Sequence, residues 1–139
     1  MRILFRVWIN EEVYYLGDEK ASMFWEDGKL HIAYLSGYHE GTDEIFTAVS
    51  EGFILEQYTG LKDKSGVKIF EGDIIESFDS KNKSIRHEIR FDDASFVGSL
   101  NGENEEWKFG YNGVLSQRWI DEFKKEVIGN IHENPELLD

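Results

Sequence analysis

The stretch QYTGLKDKSGVKIFEGDII, residues 57–75, constrains the fold more than any other part of the chain. Two runs of strand-forming residues flank Asp63-Lys64-Ser65-Gly66, and a second bend at Gly72-Asp73 follows at once. Asp63 suits the first turn position because its carboxylate can accept a nearby backbone N–H. Gly66 can take φ > 0 without a Cβ penalty, which fits a turn closed by a bulge. Val67–Phe70 and Ile74–Phe78 then read as consecutive strands. The special residues of this stretch all have conformational work to do, so it reads as the corner of a β structure.

The same grammar runs along the rest of the chain. Ile3, Phe5 and Val7 alternate with Leu4, Arg6 and Trp8, and the run Val13–Leu16 completes a hairpin. Asp27-Gly28 between Phe24-Trp25 and Leu30–Leu35 is a strong hairpin signal. Glu44–Val49 fits one helical turn or a short strand equally, and Phe53–Tyr58 reads as a strand. Ile89 and Phe91 form one apolar face, a turn at 92–95 follows, and Phe96–Leu100 continues the sheet. Asn101–Glu106 reads as a charged loop, and Tyr111-Asn112-Gly113-Val114 carries another hairpin signal.

Leu115, Trp119 and Phe123, with Ser116 as N-cap, predict an amphipathic helix of about three turns. Glu126–Ile131 reads as a final strand, and Asn134-Pro135-Glu136 starts a terminal helical turn. The expected fold is mainly β: a small antiparallel barrel with an SH3-like core, N-terminal hairpins and one or two short helices. Closure into a barrel would remove exposed edges. With 139 residues the chain is read as a single domain, 1–139, its barrel core at about 58–100 plus the strand 126–131.

Charge narrows the function classes. The net charge is −13. Residues 1–60 hold 4 basic and 11 acidic side chains, residues 61–90 hold 7 and 6, and residues 91–139 hold 4 and 11. Such a field disfavours general nucleic-acid binding. Lys81, Lys83, Arg86 and Arg90 form a local basic edge, read first as a solvated hairpin tip. With no Cys there are no disulfides, thiolate metal sites or cysteine nucleophiles, in keeping with a reducing cytoplasm. No signal peptide or membrane span is read, so the expected location is the cytoplasm.

Catalytic spacing is missing. His31, His39, His87 and His132 lie too far apart for a sequence-local metal motif, and each is read as a surface or half-buried structural histidine. Asp73 with Asp79-Ser80-Lys81 is the nearest approach to a nuclease signature. A hairpin tip is the simpler reading of it, since metal catalysis needs rigid placement. Asp92-Asp93 reads as a solvated turn. Trp8, Trp25, Trp107 and Trp119 suit core or subunit-interface packing better than stacking platforms, which need a cationic groove. No catalytic, cofactor-binding or metal residue is therefore assigned, no cofactor is expected, and the chain is read as non-enzymatic.

Four segments, in order, resemble the YopX family of phage and prophage proteins. They are Phe5-Arg6-Val7-Trp8, the stretch 57–75, Ile89–Phe96, and Glu126–Leu138 with its Gly129 and Asn134-Pro135. They cover roughly half the chain, with Phe70 and His132 standing where members often have Tyr. The resemblance implies phage or prophage origin and a barrel-containing domain, with no defined reaction. The expected role is that of an accessory protein acting through protein contacts or self-association. The alternatives are an acidic decoy of a host DNA-binding protein, built on Glu40, Asp43, Glu44, Glu51 and Glu56, and an SH3-like nucleic-acid-binding barrel.

Overall fold

A computed structural model describes residues 4–92, 94–100 and 115–139 of the chain. Strand accounts for 59% of the described residues and helix for 8%, so the fold is mainly β, in antiparallel sheets with a half-barrel curl. The charged loop 101–106, Trp107 and the Asn112-Gly113 signal lie outside the described residues, as does Asp93. The chain divides into two compact units, residues 1–57 and 58–139. The residues read as barrel core, 58–100 and 126–131, belong to the second.

In the first unit β1 (Phe5–Ile9) pairs with β2 (Glu12–Tyr15) on one side and, on the other, with the first half of β6 (Phe53–Lys62). A three-stranded sheet follows, formed by β3 (Ala21–Glu26), β4 (Lys29–His39) and β5 (Asp43–Val49) with β4 central. The Asp27-Gly28 turn is left-handed at both residues, φ 52° and 75°, which matches the twist of the hairpin it closes. Residues 44–49, open between helix and strand in the sequence, lie within β5. The core joins Val7, Ile9 and Leu16 to Ala21, Ile32 and Tyr34.

On the opposite face of β1 and β6 lies a buried ion pair. Arg6 Nε donates to Glu56 Oε1 at 2.8 Å, and Trp8 Nε1 donates to the same oxygen at 2.7 Å. Two donors on one oxygen offset part of the desolvation of that carboxylate. Glu56 is thus a structural group, and this corrects its expected place on an acidic surface.

The second unit begins with the second half of β6, which pairs with β7 (Lys68–Phe70). The strands β8 (Asp73–Phe78), β9 (Ser84–Asp92), β10 (Ser95–Leu100) and β11 (Glu126–Asn130) form a sheet in the order β10-β9-β8-β11. Ile69, Ile75, Ile89, Leu115 and Ile120 make the core. The helix α1 (Gln117–Glu122) has six residues, shorter than the three turns its apolar spacing suggested. Ser116 caps it as expected, accepting from Trp119 N–H at 3.2 Å. Lys124, left-handed at φ 52°, follows directly, and the chain turns back toward the sheet. Ile120 is the buried helix residue, whereas Phe123 is largely exposed. Pro135–Leu138 forms the expected terminal turn, as a 3-10 helix.

Asp63 organises this unit. Its Oδ1 accepts from Ser65 N–H at 2.8 Å and Val67 N–H at 2.9 Å, closing the turn in which Gly66 has φ 85°. Its Oδ2 accepts from Val127 N–H at 3.0 Å, tying that turn to β11. Asp73 closes the next bend, with its Oδ2 accepting from Phe70 N–H at 2.8 Å. Near the C-terminus, Asn134 packs so tightly on Gly129 that an added Cβ would lie 2.5 Å from Asn134 Oδ1.

Asp63→Ala would leave three backbone donors without their carboxylate, that of half-buried Val127 among them. It is expected to cost about 3 kcal/mol or more, read from the urea midpoint. Gly129→Ala should also destabilise the protein, by clash rather than by lost hydrogen bonds, and Asn134→Gly should restore part of that loss. A Gly129→Ala variant as stable as wild type would contradict this account.

Candidate functional site

Two regions stand out from the ordinary pattern of core and solvent. The first is the β3–β4–β5 sheet. Alternation along its strands puts Ala21, Ile32 and Tyr34 on the core face. The other face carries Phe24, His31, Ala33, Leu35, Phe46 and Ala48. Phe24 and His31 stack with ring centroids 5.0 Å apart. Large apolar groups remain in water around this sheet: Trp25 is 74% exposed, Tyr38 59%, Phe46 48% and Ile45 42%. Scattered apolar exposure is normal, but four large side chains this exposed on one small sheet depart from it. Its rim is acidic, with Glu40, Asp43, Glu44 and Glu51 all exposed.

The second region is a buried polar cluster in the C-terminal unit. Ser77 on β8, His87 on β9 and Lys125 just before β11 are buried beside Trp119 of α1. The Lys125 ammonium donates to Ser77 Oγ and lies 4.3 Å from the centre of the Trp119 ring. The His87 ring meets Trp119 edge-on at 5.7 Å. Burial, reinforced by the nearby Lys125 charge, pushes the His87 imidazole down to about 2. Burial alone lowers the Lys125 ammonium to about 8. Such shifts are what desolvation does to cationic acids.

The other sequence candidates fall apart spatially. Asp79 closes the β8–β9 turn, its Oδ1 accepting from Lys81 and Lys83 N–H at 2.9 and 2.8 Å, and Asp73 sits at the far end of β8. Lys81 and Lys83 are exposed at the hairpin tip. Arg86, however, donates to Glu76 Oε2 and to the carbonyl of Leu137, and Arg90 donates to Glu88. The Arg86 hydrogen bond holds the Glu76 carboxyl below its usual range. Half of the proposed basic edge is therefore neutralised locally. Among the described residues no group of three or more metal-ligating side chains converges. Likewise, no described helix is long and apolar enough to cross a membrane.

Sequence reasoning missed the buried cluster. His87 is fully buried, which corrects its reading as a surface or half-buried residue. The available signal was its position two residues from Ile85 and Ile89, on the same side of an alternating strand.

The YopX protein family model matches residues 4–139, nearly the whole chain. The chain belongs to the YopX family. It is 25% identical over 145 residues to the SPbeta prophage-derived uncharacterized protein YopX of Bacillus subtilis (strain 168), covering 100% of this chain and 98% of that one. The crystal structure of protein yopX from Bacillus subtilis has the same fold, with a TM-score of 0.65 at 24% identity, over 100% and 98% of the two chains. That of protein EF1440 from Enterococcus faecalis matches with a TM-score of 0.63 at 30% identity, over 100% and 99%. These matches run from end to end and include both regions described above.

Two pH effects follow from the buried cluster. In the unfolded chain His87 titrates near 6.5, whereas the native imidazole stays neutral to about 2. The unfolded state then binds more protons below pH 6.5, so stability should fall as pH drops from there. His87→Phe should flatten the urea midpoint between about pH 5 and 6.5, above the main carboxylate range. Lys125 has the same sign at the other end: native about 8, unfolded 10.5. Stability should rise between pH 8 and 10, below the range where Tyr14, pushed up to about 12 by burial and the Glu12 hydrogen bond, acts oppositely. Lys125→Met should abolish that rise. A variant that keeps it would show that another group is responsible.

Proposed function

We propose that this YopX-family chain is a non-enzymatic accessory protein of a prophage, acting in the host cytoplasm through protein contacts that include self-association. One observation carries the reading. The β3–β4–β5 sheet leaves Trp25, Tyr38, Ile45 and Phe46 in water within a single small sheet. Desolvating large rings is a main source of interface energy.

The absence of an assigned reaction rests on how the reactive groups are engaged. The Asp63 and Asp73 carboxylates hold backbone N–H groups, and so does Asp79. The lowered Lys125 ammonium lies buried against an indole. These are structural engagements, and they support a binding protein over a catalyst.

The exposed acids Glu40, Asp43, Glu44 and Glu51 favour a second reading, in which the same sheet imitates a nucleic-acid backbone to occupy a host DNA-binding protein. Salt separates the two. A decoy complex should weaken steeply with ionic strength, while an apolar contact should persist. Light scattering coupled to size exclusion should give a mass of two or more chains for the purified protein. A strict monomer at high micromolar concentration would remove self-association from the proposal.

A further inference from the structure

The β5 strand is exposed along nearly its whole length: Asp43 to Ala48 are exposed residues, and only Val49 is half-buried. It lies at the edge of its sheet among the described residues. Native edge strands are commonly blunted by Lys, Pro or shortness, and DEIFTAV has neither Lys nor Pro across its seven residues.

The direction of its backbone groups follows from two separate hydrogen bonds. Leu35 N–H donates to Lys20 carbonyl, so the backbone groups of Leu35 and Ala33 face β3 and those of Tyr34 and Ile32 face β5. Their register partners Thr47 and Val49 must then face β4. Consistently, the Ile45 carbonyl accepts from Ser36 Oγ of β4 at 3.1 Å. The N–H and C=O groups of Glu44, Phe46 and Ala48 therefore point out of the sheet edge.

We propose that a second copy of this chain docks on that edge, pairing β5 with β5 antiparallel about a two-fold axis at Phe46. This deepens the self-association reading above and rests on it. Phe46 then faces Phe46 as a hydrogen-bonded pair, and Glu44 faces Ala48 on each side. The outward groups of all three residues are satisfied reciprocally, which is the self-complementarity a two-fold interface needs. Charge selects the same register. Asp43 faces Val49, Glu44 faces Ala48, and no carboxylate of β5 meets another. A parallel, in-register pairing would set Asp43 against Asp43 and Glu44 against Glu44, which costs energy in an already acidic unit. The two Phe46 rings become cross-strand neighbours, and Ile45 faces Thr47. The other edge of this sheet is less suited, since the Ala21 carbonyl of β3 already accepts from Gly17 N–H.

The absence of native cysteine makes the register directly readable. Across the axis the two residues 46 stand about 5.5 Å apart at Cα, inside the disulfide range. Phe46→Cys in the full chain should shift from a monomer to a dimer band on mild oxidation. Ala48→Cys, on the same face but about 14 Å from its own copy, should stay monomeric on the gel. Phe46→Lys and Phe46→Glu should each lose the dimer by sedimentation, and an equal mixture should regain it, because the proposed pairing sets residue 46 against itself. Wild-type dimerisation should tighten as salt screens the acidic units. A dimer that Phe46→Cys fails to trap, or one also trapped by Ala48→Cys, would overturn this register while leaving self-association standing. A monomer at every concentration would overturn both.

Discussion

The carboxylate of Asp63 joins parts of the second unit 64 residues apart in sequence. One oxygen shapes the turn between β6 and β7, and the other fixes the start of β11. Lys64 N–H adds a bond to the Lys125 carbonyl at 3.0 Å. With the turn so tied, Lys125 and Val127 are held next to β8, and the core of isoleucines closes between them. A local turn signal thereby becomes a long-range constraint. This explains why the central stretch and the C-terminal strand, remote in sequence, are both densely patterned.

Each unit also contains a polar group set that hydrophobic packing alone would not produce. In the first, Glu56 receives Arg6 and Trp8; in the second, Lys125 sits between Ser77 and the Trp119 ring. Groups of this kind add little net stability over well-packed apolar residues, because desolvation opposes the attraction. What they provide is geometry: the Arg6–Glu56 bond belongs to one β1–β6 register, in which these residues face each other. A one-residue slip would turn one of them to the opposite face.

Turns and most strands were legible in the sequence because they depend on local chemistry. Asp63, Gly66, Gly72-Asp73, Asp27-Gly28 and Ser116 each act through neighbours within a few positions, so their roles follow from spacing. Glu56 and His87 were not legible in the same way. Their burial depends on what lies across the sheet and under the helix; alternation puts His87 on the face of Ile85 and Ile89 but does not report how completely that face is covered. Helix length failed for a related reason. Leu115 and Phe123 have helical spacing with Trp119, but Lys124 in the left-handed region and the pull of β11 limit α1 to Gln117–Glu122. The strand at 44–49 resolved only through pairing with β4, a partner that local pattern could not supply.

The charge distribution then acquires a physical meaning that a count alone does not have. A chain of net charge −13 repels its own copies at distance. On β5 the acids are confined to the N-terminal end, Asp43 and Glu44, while the rest of the strand is uncharged. Such polarity allows antiparallel approach and penalises parallel approach, so carboxylates that repel other copies at distance also discriminate between ways of meeting. Apolar side chains without this bias would favour open-ended sheet growth along any edge. With it, the pairing proposed above has one favoured direction, and a two-fold contact of that kind would leave no edge for further growth.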